Sequence, residues 1–233
     1  MPRTPRRRPG SEFHRCEQDL VADLVTQLPA YLHRASRTCR IQREVGVGRS
    51  IADVVAALMP VNAARILPPL SVRESVMVSA LRASGPTRID VLERLCGMNR
   101  QSLRGGSLDR LQSLGVVVRG AGGRVALGRW CRSGTLIAIE AKLTRWWDAL
   151  EQAEAYRQFA DRVYVALPAD CVGPAVRSRG AFERAGVGLL SVNGGIHCEV
   201  QAGVAATHDW RREYVYSRTT RAPISVATSA ERA

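Results

Sequence analysis

Lysine is almost absent from this basic chain. The 233 residues contain 34 lysines and arginines together, and Lys142 is the one lysine among them. A guanidinium is planar and always charged, whereas a lysine ammonium is compact and can approach a single oxygen atom. The isolated lysine therefore indicates a site where arginine cannot serve, although a single exception also arises by chance.

Long apolar runs and paired cysteines are missing as well. No apolar stretch approaches the roughly 18 residues that a membrane-spanning helix needs, so we expect no membrane partner. No apolar segment follows the basic N-terminus, which argues against a secretory signal and for a cytoplasmic, nucleoid-associated protein. The six cysteines form no Cys-x-x-Cys pair, which argues against structural zinc and for reduced thiols.

Positive charge is the feature that the composition does supply. The formal net charge is +13, a balance that attracts polyanions such as nucleic acid. Hydrophobic residues make up 45% of the chain and aromatic residues only 5%, so we expect a core built from Ala, Val, Leu and Ile. DNA, double-stranded in the simplest case, is the expected partner.

Proline and glycine positions divide the chain into two interleaved parts. Residues 1–13 are polar and basic and are predicted to be a disordered tail. Prolines at positions 60, 68 and 69 mark a change of composition, and residues 60–132 read as an insert with its linkers. The remaining segments, 14–59 and 133–216, are predicted to form one discontinuous α/β core, followed by a flexible tail over 217–233.

The insert has the element order of a DNA-binding module. Helices are predicted over 72–83, 87–96 and 99–114, followed by short strands over 116–119 and 124–127 that a GAGG turn joins. This order resembles a winged helix-turn-helix, whose third helix and wing contact DNA; the alternative is a protein-interaction or dimerisation module. The candidate DNA-binding residues are Arg100, Gln101, Ser102, Arg104, Ser107, Arg110, Arg119 and Arg124. Glycine disfavours a helix interior, so the pair Gly105-Gly106 indicates a break, after which the recognition segment begins near Ser107.

Three charged residues of the core point to one site. Asp53 lies in the predicted strand 50–58, and Glu140 and Lys142 lie in the predicted strand 135–143. Side chains alternate along a strand, so Glu140 and Lys142 share a face. Hard divalent cations prefer oxygen ligands and keep several waters, so Asp53, Glu140 and the backbone carbonyl of Ala141 suit Mg²⁺ or Mn²⁺. The alternatives are a buried Asp53 paired with arginine and a surface pair of Glu140 with Lys142.

These residues and the segments around them resemble the PD-(D/E)XK nuclease superfamily, whose fold is restriction-endonuclease-like. The resemblance covers residues 17–58 and 134–201 and rests on Asp53 in SIADVV, IAIEAKL, the helix WWDALEQAEAYRQFAD and the strand RVYVALP. It implies a core ordered helix, strand, strand, strand, helix, strand. It also implies Asp53 and Glu140 as metal ligands and Lys142 as the catalytic lysine, with Gln152 facing the site. Ala52 replaces the family's proline, and the insert lengthens the usual spacing between Asp53 and Glu140.

The sequence therefore predicts an α/β protein: a restriction-endonuclease-like mixed sheet flanked by helices and interrupted by a winged helix-turn-helix insert. The predicted function is metal-dependent hydrolysis of DNA phosphodiester bonds, an endonuclease in preference to an exonuclease, with Tyr156 and Glu44 as accessory residues. The alternatives are a DNA-binding regulator or DNA-end-binding protein that no longer cuts, and an RNA-directed nuclease. A homodimer is a candidate assembly. The segment 210–212 is predicted to be a solvated basic stretch.

Overall fold

A computed structural model describes residues 14, 16–32, 37–60, 66–99, 101, 106–128, 134–205 and 209–222. The described helices are α1 (Glu17–Tyr31), α2 (Val72–Ser84), α3 (Ile89–Cys96), α4 (Ser107–Ser113), α5 (Trp146–Tyr156), α6 (Gly173–Arg177), α7 (Arg179–Ala185) and α8 (Trp210–Thr219). The described strands are β1 (Arg37–Val47), β2 (Ser50–Pro60), β3 (Thr87–Arg88), β4 (Val117–Arg119), β5 (Arg124–Leu127), β6 (Thr135–Ala141), β7 (Arg162–Pro168), β8 (Gly188–Val192) and β9 (Ile196–Val200). Within these ranges, no helix has the length and apolar character needed to cross a membrane.

A mixed sheet of six strands, ordered β1-β2-β6-β7-β8-β9, forms the centre of the α/β fold. β2 runs antiparallel to both β1 and β6, while β6, β7 and β8 are parallel and β9 returns antiparallel. With the segment between β2 and β6 set aside, the elements from α1 to β7 follow the order helix, strand, strand, strand, helix, strand. The α/β prediction and the mixed sheet flanked by helices are confirmed.

Helices cover both faces of this sheet. Leu20, Leu24 and Leu28 of α1 pack on one face with Val54 and Ile139. The other face holds a larger core to which α5, α7 and α8 contribute. Its members include Val55, Ala57, Leu136, Ala138, Ala153, Phe182 and Val215. Because successive residues of β6 alternate between the two cores, its position assigns Glu140 to the face of the larger core.

A second sheet, ordered β3-β5-β4, lies between β2 and β6 in the chain together with α2, α3 and α4. Ser71 begins α2 through a capping box, in which its hydroxyl accepts from Glu74 N and Glu74 accepts from Ser71 N. Met77 and Leu111 of this segment belong to the same core as Val55 of the large sheet. The segment therefore packs on the sheet through a continuous apolar core.

The predicted helix over 99–114 is wrong as a continuous element. Gly106 has φ +96° and precedes α4, which begins at Ser107. Glycine adopts a positive φ without the steric cost that a side chain would bring, so the helix starts anew at this point. Residues 102–105 lie outside the described residues. The alternative that the recognition segment starts near Ser107 agrees with the structure.

The C-terminal segment is a packed helix, which corrects two predictions. Residues 210–212 form the first turn of α8, and the helix continues past 217 to Thr219. The Arg212 side chain is only 7% exposed and binds both carboxylate oxygens of Asp161, at 3.0 and 2.9 Å. It also donates to the Gly134 carbonyl at 2.7 Å. The sequence predicted a solvated stretch and a tail from 217 because charged side chains usually lie in water. Here the buried Arg212 charge is paired with Asp161 and hydrogen-bonded to Gly134.

Candidate active site

Asp53 and Glu140 meet between neighbouring strands. The register of β2 with β6 pairs Val54 with Ile139, so Asp53 and Glu140 follow directly at the next position. Asp53 Oδ2 accepts a hydrogen bond from the Ala141 backbone N–H at 2.8 Å. The two carboxylates, 87 positions apart in the sequence, are therefore neighbours on the sheet. Glu140 lies on the face that α5 covers, where Tyr156 contacts it.

Lys142 completes the cluster and brings in an acid that the sequence did not indicate. Its Nζ lies 3.1 Å from Glu140 Oε1 and 3.3 Å from Glu17 Oε2. Glu17 is in the first turn of α1, where acidic residues commonly favour the positive end of the helix dipole. The sequence explains Glu17 by its position in the helix and does not indicate its ion pair with Lys142, because only the packing of α1 on the sheet brings the two side chains together.

Tyr156 ties α5 to both strands of the site. Its hydroxyl lies 2.6 Å from the Ile51 carbonyl oxygen and 2.6 Å from Glu140 Oε2. A phenol has one proton to donate, and a carbonyl can only accept. When Tyr156 donates to Ile51, a protonated Glu140 can donate to the phenol oxygen; when Glu140 is ionised, it competes for the same proton.

Burial and neighbouring negative charge raise the pKa of both carboxyl groups of the cluster. Burial raises the pKa of Asp53 above its ordinary value, against the hydrogen bond from Ala141 and the charge of Lys142. Burial also raises the pKa of Glu140, with a further contribution from the Asp53 charge. Burial would lower the pKa of Lys142, but Glu140 and Glu17 outweigh it, so the pKa is raised and the ammonium stays charged.

The accessory acid Glu44 and the glutamine Gln152 lie at the edge of this cluster. Glu44 is exposed on β1 with φ +52°, and its charge contributes to the raised pKa of Asp53. Gln152 is exposed on α5 and, among the described residues, has no hydrogen bond to Asp53, Glu140 or Lys142. It lines a neighbouring cleft of about 560 Å³, which Tyr156 separates from Glu140.

The oxygen atoms of this cluster are the ones that could hold a hard divalent cation with several bound waters. Across the described residues, no three His, Cys, Asp or Glu side chains are grouped closely enough to hold a metal by themselves. Asp53, Glu140 and the Ala141 carbonyl supply two carboxylates and one neutral oxygen, a small set of the type that Mg²⁺ uses. Both Glu140 oxygens already have partners, so cation binding there would displace Lys142 or Tyr156 from its contact.

The structure places the candidate DNA-binding residues in three groups. Gln101 is exposed and helical, and Arg119 and Arg124 are exposed on the strands that flank the Ala121–Gly123 turn. Ser107 is half-buried at the start of α4, and Arg110 binds Glu74 at 2.5 Å, which gives that arginine a structural role. Arg100, Ser102 and Arg104 lie outside the described residues.

Comparison with known proteins adds one likeness. No protein-family model and no curated protein matches the chain. A solved structure, that of a protein of unknown function from Silicibacter pomeroyi, is 23% identical to the chain, with a TM-score of 0.29. The likeness covers 47% of this chain and 75% of that one.

Proposed function

We propose that this protein is a metal-dependent deoxyribonuclease with a restriction-endonuclease-like core and a winged-helix insert that holds DNA. The observation that carries the proposal is the meeting of Asp53 and Glu140 on adjacent strands, with Lys142 Nζ 3.1 Å from Glu140. These are the residues on which the family resemblance rests. The element order from α1 to β7 is the order that the resemblance implies.

The site is suited to hydrolysis at a phosphate. Asp53, Glu140 and the Ala141 carbonyl would hold Mg²⁺ or Mn²⁺, which supplies positive charge at the phosphate and makes bound water more acidic. Lys142, whose side chain is 21% exposed, would donate hydrogen bonds to an attacking water or to a phosphate oxygen. Tyr156 holds Glu140 in place from the other side of the carboxylate.

The insert supplies a basic surface for the duplex. Arg119 and Arg124 are both exposed beside the turn between β4 and β5, and no ion pair joins either to a described residue. Arginines at such a turn neutralise phosphates without reading sequence. The net charge of +13 favours association with a polyanion from any direction.

The deciding experiment is incubation of supercoiled and linear DNA with the protein, with and without Mg²⁺ or Mn²⁺. We expect cleavage that requires the metal and that falls by about 10² or more in Lys142→Ala, because a developing negative charge loses its donor. Matched RNA duplexes test the RNA-directed alternative.

The matched control is Arg94→Ala, which removes the same charge from the exposed α3 surface, where the Arg94 side chain is 71% exposed. Cleavage by wild type and Lys142→Ala at equal rates would overturn the nuclease proposal. Tight DNA binding without any cleavage would favour the regulator or DNA-end-binding alternative.

A further inference from the structure

The cleft beside the active site has two walls of different origin. Arg49 and Ile51 come from the turn and first residues of β2, and Asp148, Glu151 and Gln152 come from α5. Its volume of about 560 Å³ is in the range of small-molecule and nucleotide sites. Tyr156 forms part of the lining and contacts Glu140 beyond it, so the cleft opens next to the carboxylates.

The two walls are fastened to each other. The Tyr156 hydroxyl on α5 lies 2.6 Å from the Ile51 carbonyl oxygen on β2, and Tyr156 itself is buried. Neither wall can move away without breaking this contact. The cleft is therefore formed in advance of any ligand, which lowers the ordering cost of binding.

The charges of the lining favour a base over a phosphate. Asp148 and Glu151 are both acidic, although Arg145 forms an ion pair with Asp148, and Arg49 is the one basic residue of the lining. A phosphodiester within the cleft would meet these carboxylates. A nucleobase edge carries donors and acceptors instead, and glutamine and glutamate side chains are suited to both.

Apolar surface at the cleft suits the flat face of a base. Ile51 is 61% exposed although it is a strand residue in the lining. Trp147 does not line the cleft itself; it is 55% exposed and lies four residues before Glu151, so its ring borders the cleft on the surface of α5. Trp146, which packs on Phe182 at 5.7 Å, meets Trp147 edge to face at 5.9 Å and supports the exposed ring.

We propose that this cleft binds an unpaired base of the DNA strand, with Trp147 as its stacking platform and Glu151 and Gln152 as contacts to the base edge. The inference rests on the proposed function and deepens it, because it names DNA with a single-stranded overhang as the preferred substrate over blunt duplex. Base stacking on aromatic side chains tolerates any sequence, so the preference concerns structure and not base order.

The test is the affinity for a fluorescein-labelled blunt duplex and for the same duplex with a single-stranded overhang, measured by anisotropy in EDTA. We expect wild type to bind the overhang more tightly and Trp147→Ala to lose about tenfold in overhang affinity, the scale of one lost stacking contact. The blunt duplex should be bound nearly as well by the variant, and Trp147→Phe should retain most of the overhang preference. Leu95→Ala, at an apolar α3 residue that is 52% exposed, controls for the loss of exposed apolar surface.

Equal affinity of Trp147→Ala and wild type for the overhang, or an equal loss on both DNAs, would overturn this site. Binding in EDTA needs neither metal nor cleavage, so the two proposals fail separately. A chain that binds the overhang through Trp147 but cuts no DNA supports the cleft and overturns only the nuclease. A chain that cuts DNA with no dependence of binding on Trp147 overturns only the cleft.

Discussion

At the scale of single residues, Lys142 is the position where the shape of the side chain determines whether lysine can be replaced by arginine. Its Nζ lies 3.1 Å from Glu140 and 3.3 Å from Glu17, and the Lys142 side chain is 21% exposed. A guanidinium is planar and wider than an ammonium group, and its charge is spread over three nitrogens. An arginine there would keep the charge but not the position of a single donor.

We therefore expect Lys142→Arg to lose about 10²-fold in metal-dependent cleavage, close to the loss in Lys142→Ala, because the donor is misplaced. The unfolding temperature of Lys142→Arg should stay close to that of wild type, since arginine keeps the positive charge that pairs with the buried Glu140. Single-turnover cleavage and thermal unfolding measure the two quantities. An arginine variant that cleaves at the wild-type rate would remove the basis for a lysine-specific role.

Asp53 gives a prediction about pH. Because burial raises its pKa in the folded chain, the acid favours folding when protonated, and this contribution is fully present below the ordinary carboxyl pKa, about 4. It is lost as the pH rises through the raised value. In EDTA, Asp53→Asn should therefore unfold at a higher temperature than wild type at pH 7 and lose this advantage below about pH 4. For a chain of this length, each kcal/mol of change in the free energy of unfolding shifts the unfolding temperature by about 2–4 °C.

Thermal unfolding across that pH range, with and without Mn²⁺, measures the effect. Mn²⁺ should raise the wild-type unfolding temperature and leave Asp53→Asn almost unchanged, because a ligand stabilises only the state that binds it. Glu151→Gln, an exposed carboxylate of α5, is the matched amide control. A lower unfolding temperature for Asp53→Asn at pH 7 would contradict the raised pKa.

The sequence predicts the central residues of the site but not all of their partners. Strand alternation placed Glu140 and Lys142 on one face, and the apolar run around Asp53 indicated a buried strand. Glu17 escaped prediction because its contact with Lys142 depends on how α1 lies across the sheet. No periodicity along the chain encodes the relative position of two packed elements.

At the scale of elements, α8 is held by buried charge as well as by apolar residues such as Val215. Arg212 binds Asp161 through two oxygens and Gly134 through its carbonyl, while Glu213 binds Arg82 of α2 at 2.7 Å. Arg212 and Glu213 are both buried. Paired charges in such a place are tolerated only as long as every partner is present.

Arg212→Ala should accordingly destabilise the protein by about 3–5 kcal/mol, because Asp161 is left without its cation in a largely buried place. That loss corresponds to an unfolding temperature lower by roughly 10 °C. Arg211→Ala is the control at the adjacent position, where the side chain is 35% exposed and pairs with Asp209. Similar unfolding temperatures for the two variants would show that the buried network contributes no more than a surface pair.

Element types could be predicted well where the pattern was local. The strands of the large sheet follow from apolar runs with turns between them, and the Gly48 turn between β1 and β2 has φ +66° as such a turn needs. α8 was missed because its polar residues are buried by contacts with distant residues, such as Asp161 and Arg82. Helical spacing predicted one helix over 99–114, and the pair Gly105-Gly106 gave the competing signal of a break; the helix that begins at Ser107 agrees with the glycine signal.

At the scale of the whole molecule, positive charge should govern DNA affinity through salt. Each phosphate contact by an arginine releases condensed counterions, which makes the logarithm of the affinity fall with the logarithm of salt concentration. The double variant Arg119→Ala with Arg124→Ala should weaken duplex binding and reduce the magnitude of this slope by about 2.

The matched control removes two arginines that pair with Asp90 on the exposed α3 surface, Arg88→Ala with Arg94→Ala. This control lowers the net charge equally but should change the slope less. A salt titration of duplex affinity by anisotropy compares the two. Identical slopes would place the duplex on another surface of the molecule.

The shared core has a consequence for the exchange of the segment between β2 and β6 with that of another protein. Met77 and Leu111 pack into the same apolar core as Val55, and α2 is joined to α8 through Arg82 and Glu213. A chimaera that carried a foreign segment between β2 and β6 would lose the Arg82 partner of Glu213, and its apolar residues would pack on an α8 that did not match them. Such an exchange would succeed only if the segment between β2 and β6 and the distant helix α8 were transferred together.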